Sequence, residues 1–494
     1  MAIGTITLEQ RPVEGAVQVP VITNWTPVVP YTVKQTSIAD LFYFKFILEI
    51  RLNGSSGKLL AKIKQRPNGH TTGTTDVYTI FNIRDIVNTQ IQNTYKDHNA
   101  QTKSIHTLGE NASAKIYSWN SNQLQEIYVK AYQEYSNAAD TSPTENATEN
   151  ADNEKFYIAA SLPLETPRTS GTYFQGSAFQ DYQLDDASGL LLSDLKDDYL
   201  DYPLPSFETR TKVKRTYVQW DDSTDTGDYH TVGFLNSEAT FASEAQQFLI
   251  RYYESDGSLV AGGSYYITND SGTGGADPTG STTVSQKVLY FGCGPGNLEA
   301  STVTPVSGSS GDARPSNNSG WAYYSIAARS GSGASGSTRS EPYYFVKQDA
   351  SCKGFKIRRL GWRNSLGCWD YFNFKMKSKQ SVDVTRNTYG QVLGEFNSTE
   401  YSYNNFDATR KVRSTKAILK ETLNTDWITE ADAELIEKCV MSTDVFIIEN
   451  ADTTYTVPVM ITNKSIVRKT RANNKLKIQY TINIEYSNPL NTNS

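Results

Sequence analysis

The chain has 494 residues, a formal net charge of −6, 38% hydrophobic and 20% charged residues, and 31 tyrosines against four methionines and four histidines. That length allows more than one core, because single cores seldom grow past ~250 residues. The tyrosine-rich, charge-poor balance favours strands and polar loops, and the negative sum excludes a global basic field, so nucleic acid is not expected as a main partner.

Residues 1–35 are rich in Val, Thr and Pro (Pro12, Pro20, Pro27, Pro30), which predicts an extended N-terminal arm or edge strands, with the arm lying on a neighbour. A β-rich domain with one short helix is expected over 36–135. Its apolar run Leu41–Leu52, the turn at Asn53-Gly54 with Gly57, and the return over Lys58–Lys64 predict a hairpin. Between Tyr78 and Thr94 the spacing of Ile80, Ile83, Ile86, Val87 and Ile91 is helical, with Asn82 or Asp76 as caps. Leu124 to Tyr135 alternates Ile127, Val129 and Ala131 against polar neighbours, as a strand does. The following SNAADTSPTENATENADNE has no apolar residue larger than Ala, so 136–155 is expected to be a flexible acidic linker or loop.

Residues 156–349 read as a middle, inserted all-β domain. Short strands at Thr211–Trp220, Phe248–Tyr253, Val288–Phe291 and Tyr343–Val346 alternate with Gly/Ser-rich spans, of which Ser330–Ser340 is a long loop tip. Asp256-Gly257 has the turn chemistry of a hairpin. The last segment, 350–494, holds an aromatic hairpin and then an α+β unit. Thr429 caps a helix whose first turn carries Glu430 and Asp432 and whose apolar face is Leu435, Ile436, Cys439 and Val440, with Trp427 and Ile428 placed for a hydrophobic staple. Strands follow at Asp444–Glu449 and Val457–Ile461. The last strand keeps period two through Leu476, Ile478, Tyr480, Ile482, Ile484 and Tyr486. The expected fold is mainly β and multidomain, with β-sandwich-like domains and an α+β C-terminal unit.

The hairpin, Lys353 to Lys379, is the most informative stretch. Two aromatic-rich runs flank the turn Asn364-Ser365-Leu366-Gly367, and apolar residues on both strand faces call for cover on both sides. Either the hairpin is buried inside one domain, or it is where subunits meet; on the second reading Trp362, Trp369, Tyr371 and Phe372 are the assembly contacts. Lys353, Lys356, Arg358, Arg359, Arg363, Lys375, Lys377 and Lys379 form a basic patch with interleaved aromatics. That composition suits single-stranded nucleic acid, a solvated strand face, or an acidic neighbouring subunit, and the net charge favours the last two.

Candidate chemistry is sparse. Cys293, Cys352, Cys368 and Cys439 form no C-x-x-C pair and have no His at ligand spacing, so free thiols are expected, with a Cys352–Cys368 bridge as the alternative. Asp221, Asp222, Asp225, Asp228 and His230 either make a solvated acidic turn or hold Ca²⁺ through oxygen ligands, without EF-hand spacing. The acids between Asp181 and Asp201 read the same way. Gly292-Cys293-Gly294-Pro295-Gly296-Asn297 lacks the Lys and Ser/Thr of a phosphate loop and is read as a turn after a strand. His70, His98, His106 and His230 form no H-E-x-x-H, and no G-x-S-x-G elbow is present. No catalytic residue, metal or cofactor is assigned, and no enzyme activity is expected. The N-terminus MAIGTITLEQRPVEG has no basic region followed by an apolar one, and no run of ~18 apolar residues occurs. A soluble chain made in a cytoplasm, without membrane insertion, is expected.

Three stretches carry a resemblance: the early KIKQRPNGHTTGTTDVYTIFNIRDIV, the hairpin RRLGWRNSLGCWDYFNFKMKSKQSVDVTRNTY, and DWITEADAELIEKCVMSTDVFII with the closing strand. They resemble uncharacterised virion structural proteins of tailed bacteriophages, over about half of the chain. In that group the position of Cys368 is often Gly, a difference that bears on turn geometry, and 156–349 does not share the resemblance. The resemblance implies a structural component of the tail, baseplate or neck, located in the virion, made in the host cytoplasm and without catalytic residues. Its partners would be other virion proteins and copies of itself in a ring. The alternative is an adsorption protein whose middle β domain binds a host-surface receptor or glycan.

Overall fold

A computed structural model describes residues 5–10, 22–23, 29–36, 38, 41–70, 76–91, 105–107, 116–118, 124–158, 191–235, 247–268, 288–299, 313–330, 337–338, 340–349, 354–449, 455–468 and 478–493. The chain is mainly β, in several separate sheets. It divides into two compact units, Met1–Gln348 with Asn364–Asp370, and Asp349–Arg363 with Tyr371–Ser494.

In the first unit, a four-stranded sheet runs Ile6–Gln10, Pro30–Gln35, Val77–Asn82, Gly69–His70, and a five-stranded sheet runs Ile22–Thr23, Thr144–Ile158, Leu124–Ser136, Phe42–Leu52, Lys58–Gln65. The two close on one core, to which Tyr31, Val33 and Phe81 come from the first sheet and Phe46, Leu48, Ile50, Ile127 and Val129 from the second. Period-two alternation explains this. In Phe42–Leu52 the side chains of Phe44, Phe46, Leu48 and Ile50 share one face, and each buried apolar side chain of that size contributes about 1.5–3 kcal/mol. Off the core, Lys62 Nζ lies 2.7 Å and Lys64 Nζ 3.0 Å from the Glu145 carboxylate, and Lys45 Nζ lies 3.5 Å from Glu134. Asn53 and Gly54 both take positive φ, 60° and 91°, as a tight hairpin turn matched to strand twist requires.

Two expectations change here and one alternative is decided. In its described part the N-terminal segment is strand rather than arm: Ile6–Gln10 is an edge strand paired with Pro30–Gln35, which pairs in turn with Val77–Asn82. The helix covers only Arg84–Gln90. Val77, Thr79 and Phe81 alternate into the core as a strand and leave Ile80 exposed, so tertiary burial selected the two-residue period over the helical one. Asn82 sits at the junction, its Oδ1 accepting from the Arg84 amide at 3.2 Å. The expected linker is largely a strand: Thr144–Ile158 pairs antiparallel with Leu124–Ser136, with irregularities after Asn146 and Asp152. Ladder hydrogen bonds are made by backbone, so a segment without large apolar side chains can still be a strand when its neighbours supply the core.

An eight-stranded sheet in the same unit has the path Asp197–Asp198, Val213–Asp221, Tyr343–Asp349, Tyr323–Ser330, Gln247–Tyr253, Leu259–Thr268, with Thr226–Gly227 and Ser337–Thr338 paired off it to Val213–Asp221 and Tyr323–Ser330. A three-stranded sheet, Thr231–Leu235, Val288–Gly292, Ile116–Ser118, packs on it through Phe234 and Phe291, whose rings lie 4.5 and 4.6 Å from that of Phe248. Because Ile116–Ser118 precedes residue 136, the expected middle domain shares a sheet with the N-terminal region and does not stand apart. Thr231 Oγ1 also donates to the Ile105 carbonyl at 2.6 Å. The hairpin at Asp256-Gly257 is present, with Gly257 at φ 88°. Most of the Ser330–Ser340 loop lies outside the described residues, but Ser337–Thr338 pairs with Tyr323–Ser330.

The second unit holds another eight-stranded sheet, with the path Trp369–Phe374, Arg358–Arg363, Val445–Glu449, Tyr455–Ile461, Thr481–Tyr486, Arg410–Asn424, Lys379–Gly390; Asn491–Asn493 pairs with Arg410–Asn424. Its helix, Glu430–Met441, starts with a capping box. Thr429 Oγ1 accepts from the Asp432 amide at 3.2 Å, and Asp432 Oδ2 accepts from the Thr429 amide at 3.4 Å, a pairing worth about 1 kcal/mol. Leu435, Ile436 and Cys439 are buried, and of the two residues expected at the staple Ile428 is buried and Trp427 exposed. Cys293, Cys368 and Cys439 are buried and form no disulfide among the described residues, and Cys352 lies outside the described residues. Among the described residues no helix is long and apolar enough to cross a membrane.

Candidate assembly surface

The hairpin forms where the sequence places it, with strands Arg358–Arg363 and Trp369–Phe374. Gly367 at φ 84° closes the turn, and the Asn364 amide donates to the Cys368 carbonyl at 2.8 Å. The four residues expected to meet a neighbour do not offer a surface in the chain by itself. Trp362, Trp369 and Tyr371 are buried and Phe372 is half-buried. His106 stacks edge-on against Trp369 at 4.5 Å, Arg359 sits 5.1 Å over the Tyr371 ring, and Phe374 meets Phe372 at 5.2 Å. The cover that the two apolar faces called for is thus supplied from within the chain.

Four residues of the basic patch, Lys356, Arg358, Arg359 and Arg363, find partners in the same way. Arg358 Nε lies 2.8 Å from Glu421, and its Nη1 pairs with Glu449. Lys356 pairs with Glu449 at 2.9 Å and Arg363 with Asp444 at 2.7 Å, while Arg359 donates to Asn373 at 2.8 Å. Glu421 is the centre of the cluster. Burial works to raise its pKa, but donors from Gln380 and Arg358 outweigh that and hold it below the usual carboxylate range.

Other sequence candidates turn out to be structural. Asp228 and His230 are buried rather than solvated: Asp228 Oδ2 accepts from the Gln219 amide at 2.9 Å, and the His230 amide donates to Asn297 Oδ1 at 2.7 Å. Gly292–Asn297 runs from a strand end into the short helix Pro295–Glu299. Among the described residues no three His, Cys, Asp or Glu are placed to hold a metal ion. Of the acids between Asp181 and Asp201, Asp198 Oδ2 pairs with the buried Arg215 at 2.7 Å. Asp194 takes the Ser365 amide at 2.7 Å and the Ser365 hydroxyl, while buried Asp370 takes Ser193 Oγ at 2.5 Å and the Asp194 amide at 2.8 Å. This knot, with Asn364 Nδ2 donating to the Leu192 carbonyl at 2.8 Å, seats the hairpin turn in the first unit.

An exposed apolar surface among the described residues is a β-ribbon in the second unit. Lys379–Gly390 pairs antiparallel with Arg410–Asn424 from Lys379↔Thr422 to Gly390↔Arg410, with one register shift at Asn387/Thr388. Near its base, Lys420–Asn424 also pairs with Thr481–Tyr486, and Thr415–Ala417 pairs with Asn491–Asn493. Beyond Thr415 only two strands continue among the described residues, and every residue of Lys379–Gly390 is exposed. The segment 391–409 between the strands folds back as Glu395–Phe396 against Tyr401–Ser402. It exposes Val392 (86%), Phe396 (68%) and Phe406 (84%), together with Tyr401 and Tyr403. A two-stranded ribbon is marginal on its own in water, and large apolar side chains are rarely grouped on a free surface without a partner. The strand signal was legible in the alternation of Val382 and Val384, yet sequence does not say whether such a strand is covered.

The class defined by these observations is a mainly β chain in two units, with one solvent-exposed, apolar-tipped ribbon. No protein-family model matches the chain, and no curated protein matches it.

Proposed function

We propose that the protein is a structural component of a tailed bacteriophage particle, in its tail, baseplate or neck, and that it works by assembly into a ring and by contacts with other virion proteins. The observation that carries the reading is the exposed ribbon 379–424, whose tip presents Val392, Phe396 and Phe406 to solvent. Burying each of these contributes about 1.5–3 kcal/mol, which is gained only when a partner covers them. The resemblance of the hairpin and C-terminal stretches to virion proteins supplies the setting. Mechanically, the hairpin turn fastened by Asp194 and Asp370 and the Glu421 cluster at the ribbon base give two fixed points, and repeated contacts across a symmetric assembly multiply modest interfaces.

The test is mass spectrometry of gradient-purified phage particles from the culture that encodes the chain. Its peptides are expected in fixed stoichiometry with the particle. Their absence from intact particles overturns the reading.

A further inference from the structure

The ribbon has an uneven charge distribution. Its two strands carry Lys379, Arg386, Arg410, Lys411, Arg413, Lys416 and Lys420 against Asp383 and Glu421. The tip, 391–409, carries Glu395, Glu400 and Asp407 and no basic residue. Some of the strand charges are satisfied internally: Lys420 pairs with Asp383 at 2.6 Å, and Glu421 belongs to the buried cluster with Arg358. Among the described residues no carboxylate lies within ion-pair distance of Arg386, Lys411, Arg413 or Lys416, and all four are exposed. On the stem, Val382 faces Leu419 and Val384 faces Ala417 across the ladder. This makes a short apolar strip on one face; Val382 and Val384 are exposed and Ala417 and Leu419 half-buried.

Stem and tip are therefore complementary in both chemistries. On the face of the apolar strip the stem carries Arg386, opposite Thr415, and Arg410, opposite Gly390, while Lys411 and Lys416 lie on the other face; the tip offers negative charge around Val392, Phe396, Tyr401, Tyr403 and Phe406. A partner for the stem must be acidic with exposed apolar side chains, and a partner for the tip must be basic with an apolar face. A second copy of the chain meets both requirements at once. We propose that copies associate head to tail, the tip of one ribbon lying on the stem of the next. Such a contact is heterologous, so it propagates from copy to copy, and whether it closes into a ring follows from the rotation between neighbours. The apolar tip supplies the affinity and the charges fix direction and register. This inference rests on the assembly reading and names the partner.

The test uses the full chain in four forms: wild type, a stem-reversed variant (Arg386→Glu, Arg410→Glu), a tip-reversed variant (Glu395→Lys, Glu400→Lys), and the variant carrying both sets. All four positions are exposed, and none makes an ion pair among the described residues, so circular dichroism and melting temperature should match wild type. Light scattering across a range of protein concentrations reads association. Wild type is expected to associate, and each reversed variant to need at least about tenfold more protein for the same association, a loss of about 1.4 kcal/mol. The doubly reversed variant should recover association, as should an equimolar mixture of the two single variants. Recovery in the double variant and in the mixture is specific to tip-on-stem contact. A wild type that stays monomeric at every concentration, or reversed variants that associate like wild type, overturns the head-to-tail contact. Either result leaves the particle reading to its own mass-spectrometric test.

Discussion

Asp370 is buried beside Asp194 and accepts hydrogen bonds from Ser193 Oγ and the Asp194 amide. Burial first and the neighbouring Asp194 charge second push its carboxyl up to about 7. An acid whose folded pKa lies above its unfolded value stabilises the fold fully below the unfolded pKa and loses that contribution as pH rises through the folded one. The first unit should therefore lose melting temperature as pH rises from about 4 to about 8, by an amount on the order of a few kcal/mol of stability. Asp370→Asn removes the charge while keeping an acceptor for the Asp194 amide, and Ser193 Oγ can turn to accept from the new amide. Its melting temperature should be nearly flat across that pH range; a slope equal to that of wild type would assign the pH dependence elsewhere. Gly233 is a second residue-scale case, because a Cβ there would collide with the Cys368 thiol. Gly233→Ala is expected to cost about 1–3 kcal/mol by overpacking, read as a lower denaturant midpoint.

The ribbon is held at its base by Glu421, which takes Arg358 Nε at 2.8 Å, Gln380 Nε2 at 3.0 Å and the Tyr486 hydroxyl at 2.9 Å. Glu421 sits on Arg410–Asn424 and Gln380 on Lys379–Gly390, so one carboxylate joins both strands. Glu421→Gln leaves the buried Arg358 with Glu449 alone and should destabilise the second unit by roughly 2–4 kcal/mol, since breaking a buried pair is costlier than its net worth. Hydrogen exchange of the 379–390 amides should then speed up; unchanged exchange would mean that the ladder alone holds the strand. The tip behaves oppositely. Replacing 391–409 with an Asn-Gly turn should leave the melting temperature within about 1 kcal/mol of stability, because little of that segment is buried, and should abolish self-association. A large loss of stability would show that the tip packs on its own chain.

At the scale of the molecule, the division into units does not follow the chain in simple order, since Asn364–Asp370 belongs with Met1–Gln348. Excising 156–349 as if it were an inserted domain would remove Thr231–Leu235 and Val288–Gly292, the partners of Ile116–Ser118, along with Ser193 and Asp194, which hold the hairpin turn. The shortened chain is expected to lose the cooperative transition of the first unit and to aggregate. A folded, monodisperse product with wild-type melting would refute this account of the architecture. Assembly belongs to the same scale, because the exposed ribbon gains its stabilisation only between molecules.

What the sequence determined by itself is whatever depends on local chemistry. The Asn53-Gly54 and Asp256-Gly257 turns, the Thr429 cap, the strands Phe42–Leu52 and Val445–Glu449, and the hairpin around Asn364–Gly367 are written in turn residues, capping residues and a period-two pattern that need only their neighbours. The tertiary structure alone decided three things. It made the polar stretch 144–155 most of a strand, because backbone hydrogen bonding to Leu124–Ser136 does not depend on apolar side chains. It buried Trp362, Trp369 and Tyr371 and paired Arg358 and Arg363 internally, because partners such as His106, Glu421, Asp444 and Glu449 come from distant positions. And it left the ribbon 379–424 bare, because whether an alternating strand is covered depends on which other strands reach it, and past Thr415 none among the described residues does.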